Sequence, residues 1–153
     1  SIVNGKKRLI PTRLMMSYDD KLVVNKAKAR QNVKIPFSDR LFVKGDVAVI
    51  DTDVNLCNMN VFFIWGEQTF VVPSGSFKAS KTGRLYQCRK VVAGAGGSPG
   101  IVTALVDIDK AALRVSISGA GEIDVKSASV PFGISFGLFD EAVNVNRVTG
   151  CSW

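Results

Sequence analysis

Short runs of β-branched and aromatic residues, separated by tight-turn residues, follow one another along most of this chain. In the segment LRVSISG, the apolar residues Leu113, Val115 and Ile117 alternate with polar ones, which is the two-residue period of a half-buried strand. The segment FGISFGL (132–138) alternates in the same way, and no helical period stands out after residue 40. We therefore predict an all-β fold, an antiparallel β-sandwich or small barrel of about eight to ten strands.

The segment FFIWGEQTFVVPSGSFK (62–78) contains two apolar runs folded back at a Gly-Glu turn. Gly66 can supply the positive φ that the first position of a two-residue type II′ turn requires. The run Val61–Trp65 is apolar on both faces, so it is expected to need cover on both sides. It is interpreted as a central core strand; the alternative is that one face meets another copy or another domain.

The positive charge of the chain is concentrated near its N-terminus. Nine Lys and Arg stand against two Asp in residues 1–34, a net charge of +7, whereas residues 35–153 carry eleven basic and eleven acidic side chains. We predict two parts, a basic N-terminal arm or edge strand over 1–34 and a β-sandwich domain over 35–153. The basic residues of the arm are Lys6, Lys7, Arg8, Arg13, Lys21, Lys26, Lys28, Arg30 and Lys34.

Within the arm, the segment KLVVNKAKARQNVKI (21–35) is interpreted as a strand with lysines on one face, a pattern typical of sheet edges. A marginal helix or a disordered tail are the alternatives. As a strand, it is expected to add to its own sheet or to the sheet of a neighbouring copy. The residues of this predicted assembly strand are Leu22, Val23, Val24, Ala27, Ala29 and Val33.

Catalytic and metal-binding motifs are poorly supported. The chain has no histidine, so the usual general base is missing, and the pairs Asp51/Asp53 and Asp107/Asp109 are interpreted as strand ends. DTDVN (51–55) resembles the start of a calcium loop, but Leu56 stands where glycine is needed. The glycine-rich stretch 94–100 lacks the helix of a phosphate loop. We predict no enzymatic activity, no cofactor and no metal.

The three cysteines lie at 57, 88 and 151 without the spacing of a zinc site. If the strands extend as the pattern indicates, Cys57 and Cys88 both face inward. A disulfide between them is then expected in an exported protein, and two buried thiols in a cytosolic one. Cys151 is left over, either free or available to another chain.

Three segments carry a resemblance to a known class of module: TFVVPSGSFKASKTGRLYQCRK (69–90), LVDIDKAALRVSISGAGEI (105–123) and VPFGISFGLFDEAVNV (130–145). Together with DKLVVNKAKARQNVKIPFSDRLFVKG (20–45), they resemble, in the same order, a β-rich repeat module of bacterial secreted and cell-surface proteins. The resemblance covers about residues 20–148. It implies an exported, non-catalytic and often repeated building block.

These observations lead to two functional hypotheses. The first is a structural subunit of an extracellular or cell-surface assembly, a filament, surface layer or repeat, which binds copies of itself through β-strand edges. The second is a nucleic-acid or polyanion-binding or coat protein that uses the basic arm. No apolar run reaches the ~20 residues of a membrane helix, and the signal peptide of an exported chain is expected to have been removed.

Overall fold

The computed structural model describes residues 21–49, 54–94 and 96–146. Within these ranges the chain forms ten β-strands and one short 3-10 helix, Leu56–Asn58. The strands are β1 (Leu22–Arg30), β2 (Asp39–Val47), β3 (Val61–Trp65), β4 (Gln68–Val72), β5 (Lys78–Ala79), β6 (Leu85–Val92), β7 (Ile101–Asp107), β8 (Ala112–Ala120), β9 (Ser129–Phe136) and β10 (Phe139–Asn146).

The strands form two antiparallel sheets. The larger has six strands in the order β1-β2-β8-β7-β6-β5, and the smaller has four in the order β10-β9-β3-β4. The all-β sandwich predicted from the alternating sequence pattern is thereby confirmed.

The core lies between the sheets because every long strand turns alternate side chains inward. In β2, Leu41 and Val43 are buried while Arg40 and Lys44 are exposed. Five phenylalanine rings fill the interior together with aliphatic side chains from both sheets, and such burial is the main force that holds a sandwich together. The five are Phe63, Phe70, Phe77, Phe132 and Phe136.

The double-sided run 61–65 is β3, an inner strand of the smaller sheet between β9 and β4. Phe63 is fully buried, whereas Phe62 and Ile64, on the opposite face, are only half-buried. The pairing of Trp65 with Gln68 leaves a two-residue turn, in which Gly66 has the predicted positive φ of 64°. The interpretation as a central core strand agrees with this placement.

One end of the sandwich, called the upper end below, collects the β1–β2 loop (31–38), the β6–β7 loop (93–100) and the segment after β8 (121–128). The register places them together, since Asp39 pairs with Ala120, and Ile101 pairs with both Ser118 and Val92. The carboxylate of Asp39, which is buried, accepts hydrogen bonds from the N–H groups of Asn32 at 2.8 Å and Ile123 at 2.9 Å. These bonds tie the β1–β2 loop to the segment after β8.

Candidate functional site

Part of the predicted basic arm is strand β1, which lies at the edge of the six-stranded sheet and pairs with β2 of the same chain. Of the predicted assembly residues, Leu22, Ala27 and Ala29 point into the core and are buried. Val23 and Val33 are exposed, and Val24 is half-buried. The arm residues Lys6, Lys7, Arg8 and Arg13 lie outside the described residues.

The outer face of the six-stranded sheet carries the densest cluster of positive charge in the described part of the chain. Cross-strand register places Lys26 opposite Lys44, and Lys44 opposite Arg114, so that one basic row crosses β1, β2 and β8. Directly opposed residues have Cβ atoms about 5 Å apart. We call the exposed set Lys26, Lys28, Arg30, Arg40, Lys44 and Arg114 the basic face.

Register also places the other members of the basic face. Arg30 opposes Arg40, and Lys28 opposes Phe42, whose half-buried ring lies in the middle of the cluster. Beyond Phe42 the surface continues with the hydroxyls of Ser116 and Thr103.

The carboxylates of this surface lie toward its lower end, where Asp46 follows Lys44 by two residues on the same side of β2. Asp46 and Asp107 flank Ala112 at the opposite, lower end of the same surface. Asp109, also at the lower end, forms an ion pair with Arg84 at 2.9 Å. Arg30 and Arg40, at the upper end of the basic face, lie farthest along the strands from these carboxylates.

Half of the basic face was missed by sequence reasoning. Arg40, Lys44 and Arg114 belong to the segment whose net charge is zero, so a count by segment hides them. In DRLFVKG and LRVSISG, the alternation of apolar and polar residues indicates that these three side chains point away from the core. What the sequence lacked was the strand order that sets β8 beside β2 and β2 beside β1.

The four sheet edges differ in how open they are. The β4 edge is covered by the glycine-rich loop, because the N–H groups of Gly94 and Ser98 donate to the carbonyls of Val71 at 2.6 Å and Thr69 at 2.7 Å. The β1 edge carries lysines and a bulge between Val24 and Lys26, and β5 has only two residues. These features discourage the addition of a further strand.

The β10 edge is the long, regular one. All eight residues of β10 pair with β9 without a register shift, and in the described ranges no backbone hydrogen bond other than those to β9 involves β10. Two features restrict this edge: Glu141 lies on the inward-facing side of the strand opposite Ile134, and β10 lies close to β1 of the other sheet.

The predicted disulfide between Cys57 and Cys88 is wrong, because both described cysteines are unpaired. Cys88 faces inward on β6 as expected, with its thiol directed to the carbonyl of Val102 at 3.9 Å. Cys57 does not extend β3; it lies in the 3-10 helix, where the side chain of Asn55 accepts a hydrogen bond from the Cys57 N–H at 3.0 Å. This cap turns the chain before β3 begins. Cys151 lies outside the described residues.

The acidic candidates that are described make contacts at the β7–β8 turn. Asp107 accepts a hydrogen bond from the Lys110 N–H at 3.0 Å, and Asp109 forms the ion pair with Arg84. Both therefore stabilise the β7–β8 turn, as the interpretation as strand ends expected. Asp51 and Asp53 lie outside the described residues.

In the described part of the chain, no three His, Cys, Asp or Glu side chains are grouped as metal ligands would be. No helix among the described residues has the length and apolar character needed to cross a membrane. Comparison with family models, with curated proteins and with solved structures found no match.

Proposed function

We propose that this chain is a non-catalytic binding module that holds a polyanion on the basic face. The observation that carries the proposal is the row Lys26–Lys44–Arg114, in which three cations stand opposite one another on adjacent strands. Like charges in directly opposed positions destabilise a sheet. A ligand with repeated anionic groups would offset this repulsion and convert an unfavourable surface into a binding surface.

The shape and composition of the surface favour recognition of charge over recognition of bases. The cations lie on an open sheet face, and the aromatic ring among them, Phe42, is half-buried. Single-stranded nucleic acid proteins stack bases on exposed aromatic side chains, whereas attraction to phosphate, sulfate or carboxylate groups needs only cations. Lys21 and Lys34 of the same arm lie just before β1 and in the loop after it.

Salt-dependent binding of a labelled single-stranded thymidine oligonucleotide, with heparin as competitor, tests the proposal. The triple variant Arg40→Gln/Lys44→Gln/Arg114→Gln should bind more weakly, and the slope of log K against log salt should become shallower by about 2. The control, Lys78→Gln/Lys81→Gln/Lys110→Gln, removes the same charge from exposed positions outside the basic face. Equal losses in both variants would mean that net charge, and not this surface, binds the polyanion.

A second candidate is the structural subunit of an exported assembly, joined through sheet edges. The observation that favours it is the regular β10 edge, which was not the edge expected from the sequence. If two copies pair antiparallel about Val143, Ala142 of one copy faces Asn144 of the other, and the inward alternation is kept. The outcome would be a continuous sheet across two copies.

Light scattering of the full chain over a concentration series tests this second candidate. Ala142→Lys/Asn144→Lys places lysines opposite each other in the proposed pair and should lower the measured mass of any assembly. The control is Ser74→Lys/Gln87→Lys, at exposed positions that are not on β10. An assembly that is unaffected by the β10 lysines would rule out this edge.

A further inference from the structure

Five of the seven large hydrophobic side chains that are exposed in the described residues lie at the upper end of the sandwich. Val33, Ile35 and Phe37 come from the β1–β2 loop, with exposed fractions of 84%, 58% and 62%. Val92 and Ile101 are cross-strand partners where β6 ends and β7 begins. The remaining two, Val23 and Leu138, lie at the lower end. Single exposed apolar residues are ordinary, but a group of them at one end of a sandwich is typical of an interaction site.

The apolar residues are held in place by the fold. The ring of Phe37 lies over Gly121 so closely that a Cβ there would come within 3.0 Å of it, and Ile101 borders Gly119. Asn32 accepts hydrogen bonds from the N–H groups of Lys34 and Ile35 at 3.1 and 3.3 Å. Together with the Asp39 bonds, these contacts fix the base of the loop while its apolar side chains project outward.

Backbone strain supports a role for this loop. Phe37 has φ of 57°, a left-handed conformation that non-glycine residues rarely adopt. Glycine at this position would remove the strain, yet the chain places an exposed aromatic side chain there. Such strain is typical of residues whose position serves a function.

Several cations lie on the same loop and strand ends as these apolar residues. Lys34 stands between Val33 and Ile35, and the pair Arg30–Arg40 marks the base of the loop. On the other side of Ile101, Lys90 is placed by a hydrogen bond from its N–H to Thr103 Oγ1 at 3.0 Å. The exposed carboxylates at this end, Glu67 and Glu122, belong to the β3–β4 turn and the segment after β8.

We propose that the upper end docks on an anionic lipid bilayer, with Val33, Ile35 and Phe37 inserted at the headgroup boundary and the surrounding cations on the headgroups. Interfacial binding of this kind combines burial of apolar area with attraction to anionic lipids. A soluble polyanion offers the cations a partner but leaves the three apolar side chains in water. The inference rests on the proposed function, because the cations of the basic face nearest the loop supply part of the attraction.

Sedimentation of the full chain with vesicles tests the inference. The probes are phosphatidylcholine vesicles with and without a one-third share of phosphatidylglycerol, and heparin serves as the soluble polyanion. The partition coefficient of the variant Val33→Ser/Ile35→Ser/Phe37→Ser for anionic vesicles should be at least about tenfold lower than that of the wild type. Its affinity for heparin should be unchanged. The control Leu138→Ser removes an exposed apolar side chain at the lower end and should change neither.

A second variant keeps the docking residues and reports on them. Phe37→Trp should bind anionic vesicles as the wild type does, and its emission should shift to the blue and be quenched by brominated lipid. Trp65 and Trp153 give the background, which the wild-type protein measures.

The outcomes separate this inference from the proposed function. If the serine variant partitions as the wild type does, or if the Phe37→Trp emission does not change on vesicles, the bilayer is not the partner of this loop. If heparin and vesicle binding fall together in the serine variant, the loop serves a soluble polyanion, and the bilayer inference is overturned while the proposed function stands. If vesicles bind and heparin does not, the bilayer inference stands and the broader polyanion function falls.

Discussion

A buried carboxylate organises the upper end of the molecule. Asp39 is the first residue of β2 and is only 3% exposed. Its carboxylate accepts hydrogen bonds from the N–H groups of Asn32 in the β1–β2 loop and Ile123 in the segment after β8. Buried backbone N–H groups need acceptors, and a single carboxylate offers two oxygens in the right place. The Asp39 side chain therefore links the exposed apolar loop to the segment after β8.

Replacing Asp39 should destabilise the fold in a graded manner. Asp39→Ala leaves two N–H groups without their acceptor and should lower the free energy of unfolding by about 2–4 kcal/mol. Asp39→Asn keeps one oxygen acceptor and should cost less. Urea unfolding followed by circular dichroism measures both; equal midpoints for the wild type and the alanine variant would contradict the assigned role.

Two ionisable side chains on β6, Cys88 and Tyr86, face the interior, where burial disfavours their deprotonated forms. Burial raises the pKa of the Cys88 thiol from 9.0 to about 11, although a backbone hydrogen bond at Ala104 lowers it in part. Burial also raises the pKa of Tyr86, with a smaller contribution from nearby Cys57, and Arg84 opposes the shift. In both cases the folded protein favours the protonated form.

Stability should therefore fall as pH rises above about 9, because the unfolded chain loses its Cys88 proton there while the folded chain holds it to about 11. The contribution of Cys88 is fully present below pH 9 and lost through pH 11. Cys88→Ala should flatten the slope of unfolding free energy against pH in this window, even if it lowers stability overall. A slope identical to that of the wild type would show that Cys88 does not titrate with unfolding.

At the scale of the elements, the attachment of β1 depends on one glycine. Gly45 of β2 lies against the backbone oxygen of Val23, beside the bulge between Val24 and Lys26. A Cβ on residue 45 would collide with that oxygen, and the neighbour is backbone, which cannot swing aside. The absence of a side chain lets the edge strand come close at this point.

The substitution Gly45→Ala should weaken the β1–β2 pairing and lower the free energy of unfolding by about 1–3 kcal/mol. The matched control is Gly94→Ala, because a Cβ at that glycine would meet the oxygen of Val71 at an ordinary 3.5 Å. Hydrogen exchange of the backbone amides reports on β1 locally. The amides of Ala27 and Ala29 should exchange faster in the Gly45 variant than in the wild type, and at the wild-type rate in the control. Uniform protection in both variants would mean that β1 has room to shift.

The strands and their buried faces could be predicted because apolar and polar residues alternate within each strand segment. In β8 and β9 the inward residues are the ones that the period-two pattern selects. The Cys57 prediction failed because one asparagine cap stops the strand pattern, and a period cannot reveal a cap of this kind. The partner of each strand was also hidden, since register between β2 and β8 depends on residues about seventy positions apart.

Over the whole molecule, positive charge is concentrated on the outer face of the six-stranded sheet. The segment 35–153 is neutral by count, but its Arg40, Lys44 and Arg114 lie on one face with the cations of β1. Apart from the buried Asp39, the described carboxylates lie at the lower end, at the β3–β4 turn, after β8 and on β10. The proposals of a polyanion and an anionic bilayer as partners rest on this uneven placement of charge, which the net charge of +7 does not show.

Two nested truncations test whether β1 belongs to the folded body. Residues 1–20 are missing from both, so the difference between deletion of 1–20 and deletion of 1–34 reports on β1 and its loop. The longer deletion removes the buried Leu22, Ala27 and Ala29 and leaves β2 as an unpaired edge. We expect it to unfold at least about 3 kcal/mol more easily in urea, since burial of these side chains is lost.

The two truncated proteins should also differ in how they bind heparin. Deletion of 1–34 removes Lys26, Lys28 and Arg30, half of the basic face, together with Val33 and Lys34 of the loop. Its residual affinity for heparin should therefore be weaker and less dependent on salt than that of the shorter deletion. If the two truncated proteins share the same stability and the same salt slope, β1 is not an integral strand and the basic face does not extend across it.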